Sequence, residues 1–182
     1  IIVRYIKNFL DTLKKILVPQ PVRVGGTPGS VRSTVGSRAC ALVLDASGSM
    51  MDTDWKPSRL GAARDAAKAF ARRLSDDEPD ALVAVVAYGC SGKTGCRLTP
   101  ARELSKIHCA IDQIDVMGAT NMKAGMKEAL RLLGRHRDRM CQVVMLSDGH
   151  NTGRSPRNVA GELKEFAVIE CVGIGGSPDD VD

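Results

Sequence analysis

The sequence predicts a doubly wound α/β domain in which helices cover both faces of a mostly parallel sheet. Two observations carry this. Continuous apolar runs rich in Val, Ile and Leu occur at 39–45, 81–88, 141–147 and 167–174, and helical periodicity fills the stretches between them. Unbroken runs, rather than alternation, mark strands buried on both faces. A third observation concerns position: Ser, Thr and Asp side chains gather just after the apolar runs, where open sheets of this class bind their ligands. The chain has 182 residues, a length that fits one domain with an adequate core.

Residues 1–18 place Ile2, Ile6, Phe9, Leu10, Leu13, Ile16 and Leu17 at helical spacing, with Arg4, Lys7, Lys14 and Lys15 elsewhere. This predicts a basic amphipathic helix that docks on protein or lies on a membrane surface. Its charges argue against a membrane span, and no small-residue cleavage site marks a secretory signal. Residues 19–37, with three prolines and four glycines, read as a linker, so the folded body is predicted over 38–182. Within it, 39–45 is the first strand, and 58–75 a helix capped by Ser58 after Pro57. Next come the strand 81–88, a turn through Ser91–Gly95, and a short edge strand at 96–99 before Pro100. Helices are predicted at 101–114, 121–134 and 156–166, and strands at 141–147 and 167–174.

Charge and composition exclude several functions. The net charge of +5 arises in residues 1–40, where seven basic side chains face only Asp11, and the body is close to neutral. With aromatic residues at 3% of the chain, neither the basic face nor the stacking platforms of a nucleic-acid binder are present. The six cysteines include no CxxC pair, which speaks against zinc or thioredoxin-like chemistry and for a reducing, cytoplasmic setting. Cys40, Cys141 and Cys171 fall in apolar runs as small buried hydrophobes. Cys90 and Cys96 flank a turn and are the one pair placed to bridge. No Asn-x-Ser/Thr acceptor occurs, since Asn121, Asn151 and Asn158 lack the hydroxyl residue two positions on.

Three segments bring oxygen donors to one edge of the predicted sheet: Asp45-Ala46-Ser47-Gly48-Ser49, Gly118-Ala119-Thr120-Asn121 and Ser147-Asp148-Gly149. Two carboxylates and three hydroxyls, with no His or Cys among them, form a hard-oxygen set suited to octahedral Mg²⁺ or Mn²⁺. Ala46 and Gly48 are small enough to turn both serines toward one point, and Gly149 permits a tight exit after Asp148.

LDASGSM, GATNM and LSDG, in this order, resemble the von Willebrand factor type A domain, also called the integrin inserted-type domain. The resemblance covers residues 38–182 and implies a Rossmann-like fold with a metal-ion-dependent adhesion site. It implies Asp45, Ser47, Ser49, Thr120 and Asp148 as the metal positions, with an acidic side chain of a partner protein completing the coordination. It also implies a further helix, strand and terminal helix after Val172–Gly176, so the sheet is predicted to lack an edge strand and a covering helix. The function expected is a divalent-metal-dependent protein-docking module, not an enzyme, in an intracellular complex of bacterial type that could include an AAA+ ATPase. Trp55, Lys56 and His150 are candidates for the partner surface.

Two other readings compete. One is an extracellular adhesion domain. The other is a metal-dependent hydrolase, which rests on His150 as the one base near the proposed metal. Two further motifs fail on context. In AYGCSGKT, Ala87 replaces the first glycine of a phosphate loop, and Gly95 and Pro100 follow where a helix is needed. Gly173-Ile174-Gly175 lacks the third glycine and the helix of a dinucleotide site, leaving it a turn.

Overall fold

The computed structural model describes residues 2–5, by their backbone, and 37–175. Among the described residues six strands form one sheet: β1 (Ile2–Tyr5), β2 (Ala39–Asp45), β3 (Leu82–Tyr88), β4 (Gly92–Pro100), β5 (Cys141–Ser147) and β6 (Ala167–Gly173). Their spatial order is β1-β6-β5-β2-β3-β4, with every neighbouring pair parallel except β3 and β4. Among the described residues four α-helices accompany them, α1 (Arg59–Asp77), α2 (Leu104–Asp112), α3 (Met122–Leu133) and α4 (Arg157–Lys164), with a short 3-10 helix at Gly48–Met51.

The doubly wound arrangement follows from the pleat. Successive side chains of a strand point to opposite faces, so β2 sends Cys40, Leu42 and Leu44 to one side and Ala39, Ala41 and Val43 to the other. The first face packs under α1 and α2 through Leu60, Phe70, Leu74, Ile107 and Ile111. The second packs under α3 and α4 through Met126, Ala129, Leu133, Val159 and Leu163. Both faces of β2 and β5 are covered, and all seven residues of each strand are buried. This is why their sequences show no alternation.

Ser58 caps α1 as expected, its hydroxyl accepting from the Gly61 N–H at 3.1 Å. Asn121 caps α3 by accepting from the Ala124 N–H at 3.2 Å.

Three differences from the sequence reading have physical causes. The edge strand β4 spans Gly92–Pro100 rather than 96–99, because antiparallel pairing with β3 recruits the Gly-Lys-Thr-Gly segment that reads as a turn. The turn itself shrinks to a hairpin tip, and the phosphate-loop look-alike lies in that hairpin. Ile2–Tyr5 is a strand where the first turn of a helix is expected. Its β-branched Ile2 and Val3 suit extended backbone, and it pairs in parallel with Glu170–Gly173 of β6. The edge of β6 predicted to be bare is thus occupied, satisfying backbone groups that an open edge leaves unpaired. The rest of the predicted helix and the linker, up to residue 36, lie outside the described residues, as does the tail from 176.

No cysteine is bridged. The Cys96 thiol lies against the Thr99 hydroxyl at 3.2 Å, while the Cys90 sulfur accepts from the Ala119 N–H at 3.3 Å, so the two candidates for a hairpin bridge have separate partners. Burial pushes the Cys40 thiol far up and the Cys141 thiol up to about 11. Alkylation of the native protein at neutral pH is therefore expected to label exposed Cys90 and Cys109 first, with Cys40, Cys96 and Cys141 reacting only after denaturation. Peptide mapping by mass spectrometry reads this directly.

Packing of α3 on β3 gives a second expectation. A methyl group at Gly125 would sit 2.7 Å from a Tyr88 ring carbon, a contact that forces helix and sheet apart. Gly125→Ala is expected to cost about 1–3 kcal/mol, seen as a lower urea midpoint at unchanged m-value.

Candidate metal site

The site stands at the carboxyl ends of β2, β3 and β5, where four loops are laced together by backbone hydrogen bonds. The Ala46 N–H donates to the Tyr88 carbonyl at 2.8 Å, and the Gly48 N–H to the Gly118 carbonyl at 2.7 Å. Met117 donates to the Ala46 carbonyl at 2.6 Å, and Asn121 to that of Gly89 at 2.8 Å. The loop after β5 is tied in through Thr120, whose carbonyl accepts from Thr152 and Gly153 at 3.0 and 2.9 Å. The three sequence segments that carry the oxygen donors therefore meet at one end of the sheet.

Asp45 ends the central strand and is fully buried. Its Oδ2 accepts from the Ser147 hydroxyl at 2.8 Å and from the Tyr88 hydroxyl at 3.0 Å. Its Oδ1 accepts from the Ser47 N–H at 2.9 Å. Burial pushes the Asp45 carboxyl above the usual range, and the hydrogen bonds from Ser47 and Ser147 pull against that rise. The Tyr88 phenol is pushed well up, first by burial and then by the Asp45 charge, so it stays protonated as a donor.

Ser47 is buried, Ser49 half-buried, and their hydroxyl oxygens stand 3.2 Å apart. Thr120 is buried on the neighbouring loop. Asp148 keeps its carboxylate almost wholly covered, at 1% side-chain exposure. Its Oδ1 accepts from the His150 N–H at 3.2 Å, and its Oδ2 from the Arg59 guanidinium at 3.3 Å. Gly149 adopts φ +89° directly after it, the tight exit that a side chain would resist.

These residues fit a small hard cation. Among the described residues no three His, Cys, Asp or Glu side chains cluster as metal ligands, so a cation here would rest on two carboxylates and hydroxyls. Adjacent ligands of an octahedron with bonds of about 2.1 Å stand about 3 Å apart, close to the 3.2 Å between the Ser47 and Ser49 oxygens. Asp45 Oδ1 accepts from the Ser47 N–H, and an ionised carboxylate oxygen has acceptor capacity for a further contact.

Sequence reasoning missed Arg59 and Tyr88, and placed Ser147 at this edge without giving it a role. Arg59 is the counter-charge of the site: its guanidinium reaches Asp148 and also pairs with Asp54 at 2.9 Å and Asp52 at 3.4 Å. Gly175 lies against this group, since a Cβ there would collide with Arg59 Nε. The available signal was an arginine directly after a helix cap and two acids in the preceding loop. Trp55 is half-buried and Lys56 exposed in that loop, and His150 is exposed beside Asp148, touching its carboxylate only through backbone.

Removing one donor to the buried carboxylate leaves it undersolvated. Ser147→Ala is expected to lower stability by about 1–3 kcal/mol, measured by urea unfolding without added metal.

Comparison with known proteins bears on this geometry. Residues 40–150 match the family model of the von Willebrand factor type A domain. A "UPF0353 protein" of Mycobacterium sp. (strain KMS) is 32% identical over 167 residues, which is 87% of this chain and 48% of the relative. The corresponding protein of Mycolicibacterium gilvum is 30% identical over the same shares. The chain thus spans about half the length of the curated relatives it matches. Among solved structures, an aerotolerance-related membrane protein from Bacteroides fragilis superposes with a TM-score of 0.64 at 21% identity, over 77% of this chain and 68% of that one. The SpRpn10 VWA domain gives 0.63 at 18% identity, over 78% and 77%.

Proposed function

The chain belongs to the von Willebrand factor type A domain family, a family of protein-interaction modules, and from this premise we propose that it docks a partner protein through a divalent cation held by Asp45, Ser47, Ser49, Thr120 and Asp148. The observation that carries the reading is the buried Asp45 carboxylate beside the paired Ser47 and Ser49 hydroxyls, a donor set matched to Mg²⁺ or Mn²⁺. Tyr88 and Ser147 orient Asp45 from behind, and Arg59 holds Asp148 and the 52–54 loop in place. A small hard cation takes six oxygen ligands, and a carboxylate from an Asp or Glu of the partner completes the set with a charge-assisted contact.

Binding rather than hydrolysis is the role proposed. His150, on which a hydrolytic reading depends, is exposed and meets Asp148 through its backbone N–H, leaving its ring unpositioned by any contact described. Among the described residues no helix is long and apolar enough to cross a membrane. The unpatterned cysteines, three of them buried in the core, support a cytoplasmic setting. A bacterial-type assembly is the proposed context, with an AAA+ ATPase as one candidate member.

Calorimetric titration with Mg²⁺ and Mn²⁺ tests the metal reading. The native chain should release or absorb binding heat, and Asp148→Ala and Asp45→Ala should abolish it while retaining native circular dichroism. Tyr88→Phe should weaken affinity about 10- to 100-fold, the usual effect of losing a group that orients a metal ligand. Absence of heat from the folded native chain would overturn the proposal.

A further inference from the structure

Beside the metal site lies a surface groove of about 660 Å³, lined by Asn121, Lys123, Ala124, Lys127, Thr152, Gly153 and Arg154. It shares its walls with the site. One wall is the start of α3, which follows Thr120 directly; the other is the loop that begins with Asp148 and ends at Arg154. The two walls are sewn together at Thr120, whose N–H donates to the Thr152 hydroxyl at 3.1 Å and whose carbonyl accepts from the Gly153 N–H at 2.9 Å. Asn121 and Thr152 thus spend hydrogen bonds on holding the groove's floor.

The groove's charge is one-sided. Lys123 and Lys127 are four residues apart and share a helix face, and Arg154 stands across from them. Among the described residues none of these three cations has a carboxylate within ion-pair distance. The acid on α3, Glu128, is engaged elsewhere, by Arg131 at 2.8 Å and the Thr94 hydroxyl at 2.9 Å. Three cations around one concavity, with no acid paired to them among the described residues, raise the local concentration of anions and set the sign of what binds.

We propose that this groove is a second contact for the same partner, taking further Asp or Glu side chains of an extended acidic segment whose leading carboxylate meets the cation. The inference rests on the metal-docking function proposed above and specifies its partner. Lys123 and Lys127 stand about 6 Å apart along the helix axis, a distance that two residues of extended chain cover. The recognised segment therefore carries acids at more than one position beyond the one on the metal, and a single isolated Glu engages only half of the site.

Fluorescence anisotropy with two fluorescein-labelled peptides tests this. One carries a single Glu among Gly and Ser; the other carries that Glu followed by four consecutive Glu. In Mg²⁺ the polyacidic peptide should bind the native chain at least about tenfold more tightly, and the double variant Lys123→Glu/Lys127→Glu should erase that difference. Raising NaCl should erase it too. The same variant should keep the native Mg²⁺ heat and circular dichroism, because neither lysine is a proposed ligand. Equal binding of the two peptides by the native chain, or an unchanged preference in the variant, would overturn the proposal.

Repeating the titration in EDTA separates the two readings. If the native chain shows no Mg²⁺ heat yet still prefers the polyacidic peptide in EDTA, and charge reversal removes that preference, the groove stands and the metal reading fails. Loss of Mg²⁺ heat with no preference in either buffer defeats both. A single-stranded oligonucleotide that binds more tightly than the polyacidic peptide, and is lost on the same reversal, would overturn the assignment to an acidic protein.

Discussion

A buried carboxylate at the end of the central strand governs this molecule. Asp45 lies beyond the last apolar residue of β2, with no exposure to water and three hydrogen bonds from protein. A charge in such a place is tolerated only if its oxygens are satisfied. The donors come from both flanking strands, Tyr88 from β3 and Ser147 from β5, so the register of three parallel strands is coupled to one side chain. The same donors leave part of the carboxylate free toward the loop that holds Ser47 and Ser49. Packing and site chemistry share this group.

Around it the structure balances charge at short range. Arg59 stands at the start of α1 and draws together Asp148, Asp54 and Asp52, joining the strand-end loop of β5 to the loop before the helix. Its side chain is largely covered, so solvent weakens these contacts less than those of a surface pair. Lys123, Lys127 and Arg154 line the neighbouring groove and, among the described residues, have no such acids. One flank of the site is therefore neutralised internally while the other retains positive charge that can act on a second molecule.

The fold was legible in the sequence because its strands are buried on both faces and its helices are amphipathic. The β5 bounds agree residue for residue, and Ser58 and Asn121 act as caps at the predicted helix starts or beside them. Local signals misled where pairing decides structure: the Gly-rich start of β4 becomes a strand through β3, and Ile2–Tyr5 through β6. The same division holds at the site. Asp45, Ser47, Ser49, Thr120 and Asp148 stand in short motifs that can be read one segment at a time. Tyr88 reaches Asp45 across 43 positions and Arg59 reaches Asp148 across 89, and no short motif spans either contact. The basic groove was hidden for a related reason, since its lysines look like the solvated face of an ordinary helix until the 151–154 loop closes beside them.

The central claim is that these five oxygen-bearing side chains hold one divalent cation. Crystals of the chain grown with Mn²⁺, with diffraction collected where manganese scatters anomalously, test it most directly. The account predicts a single strong anomalous peak bounded by the Ser47 and Ser49 hydroxyls, Thr120, and the carboxylates of Asp45 and Asp148. A saturated crystal with no peak there, or with its peak elsewhere on the molecule, would contradict it.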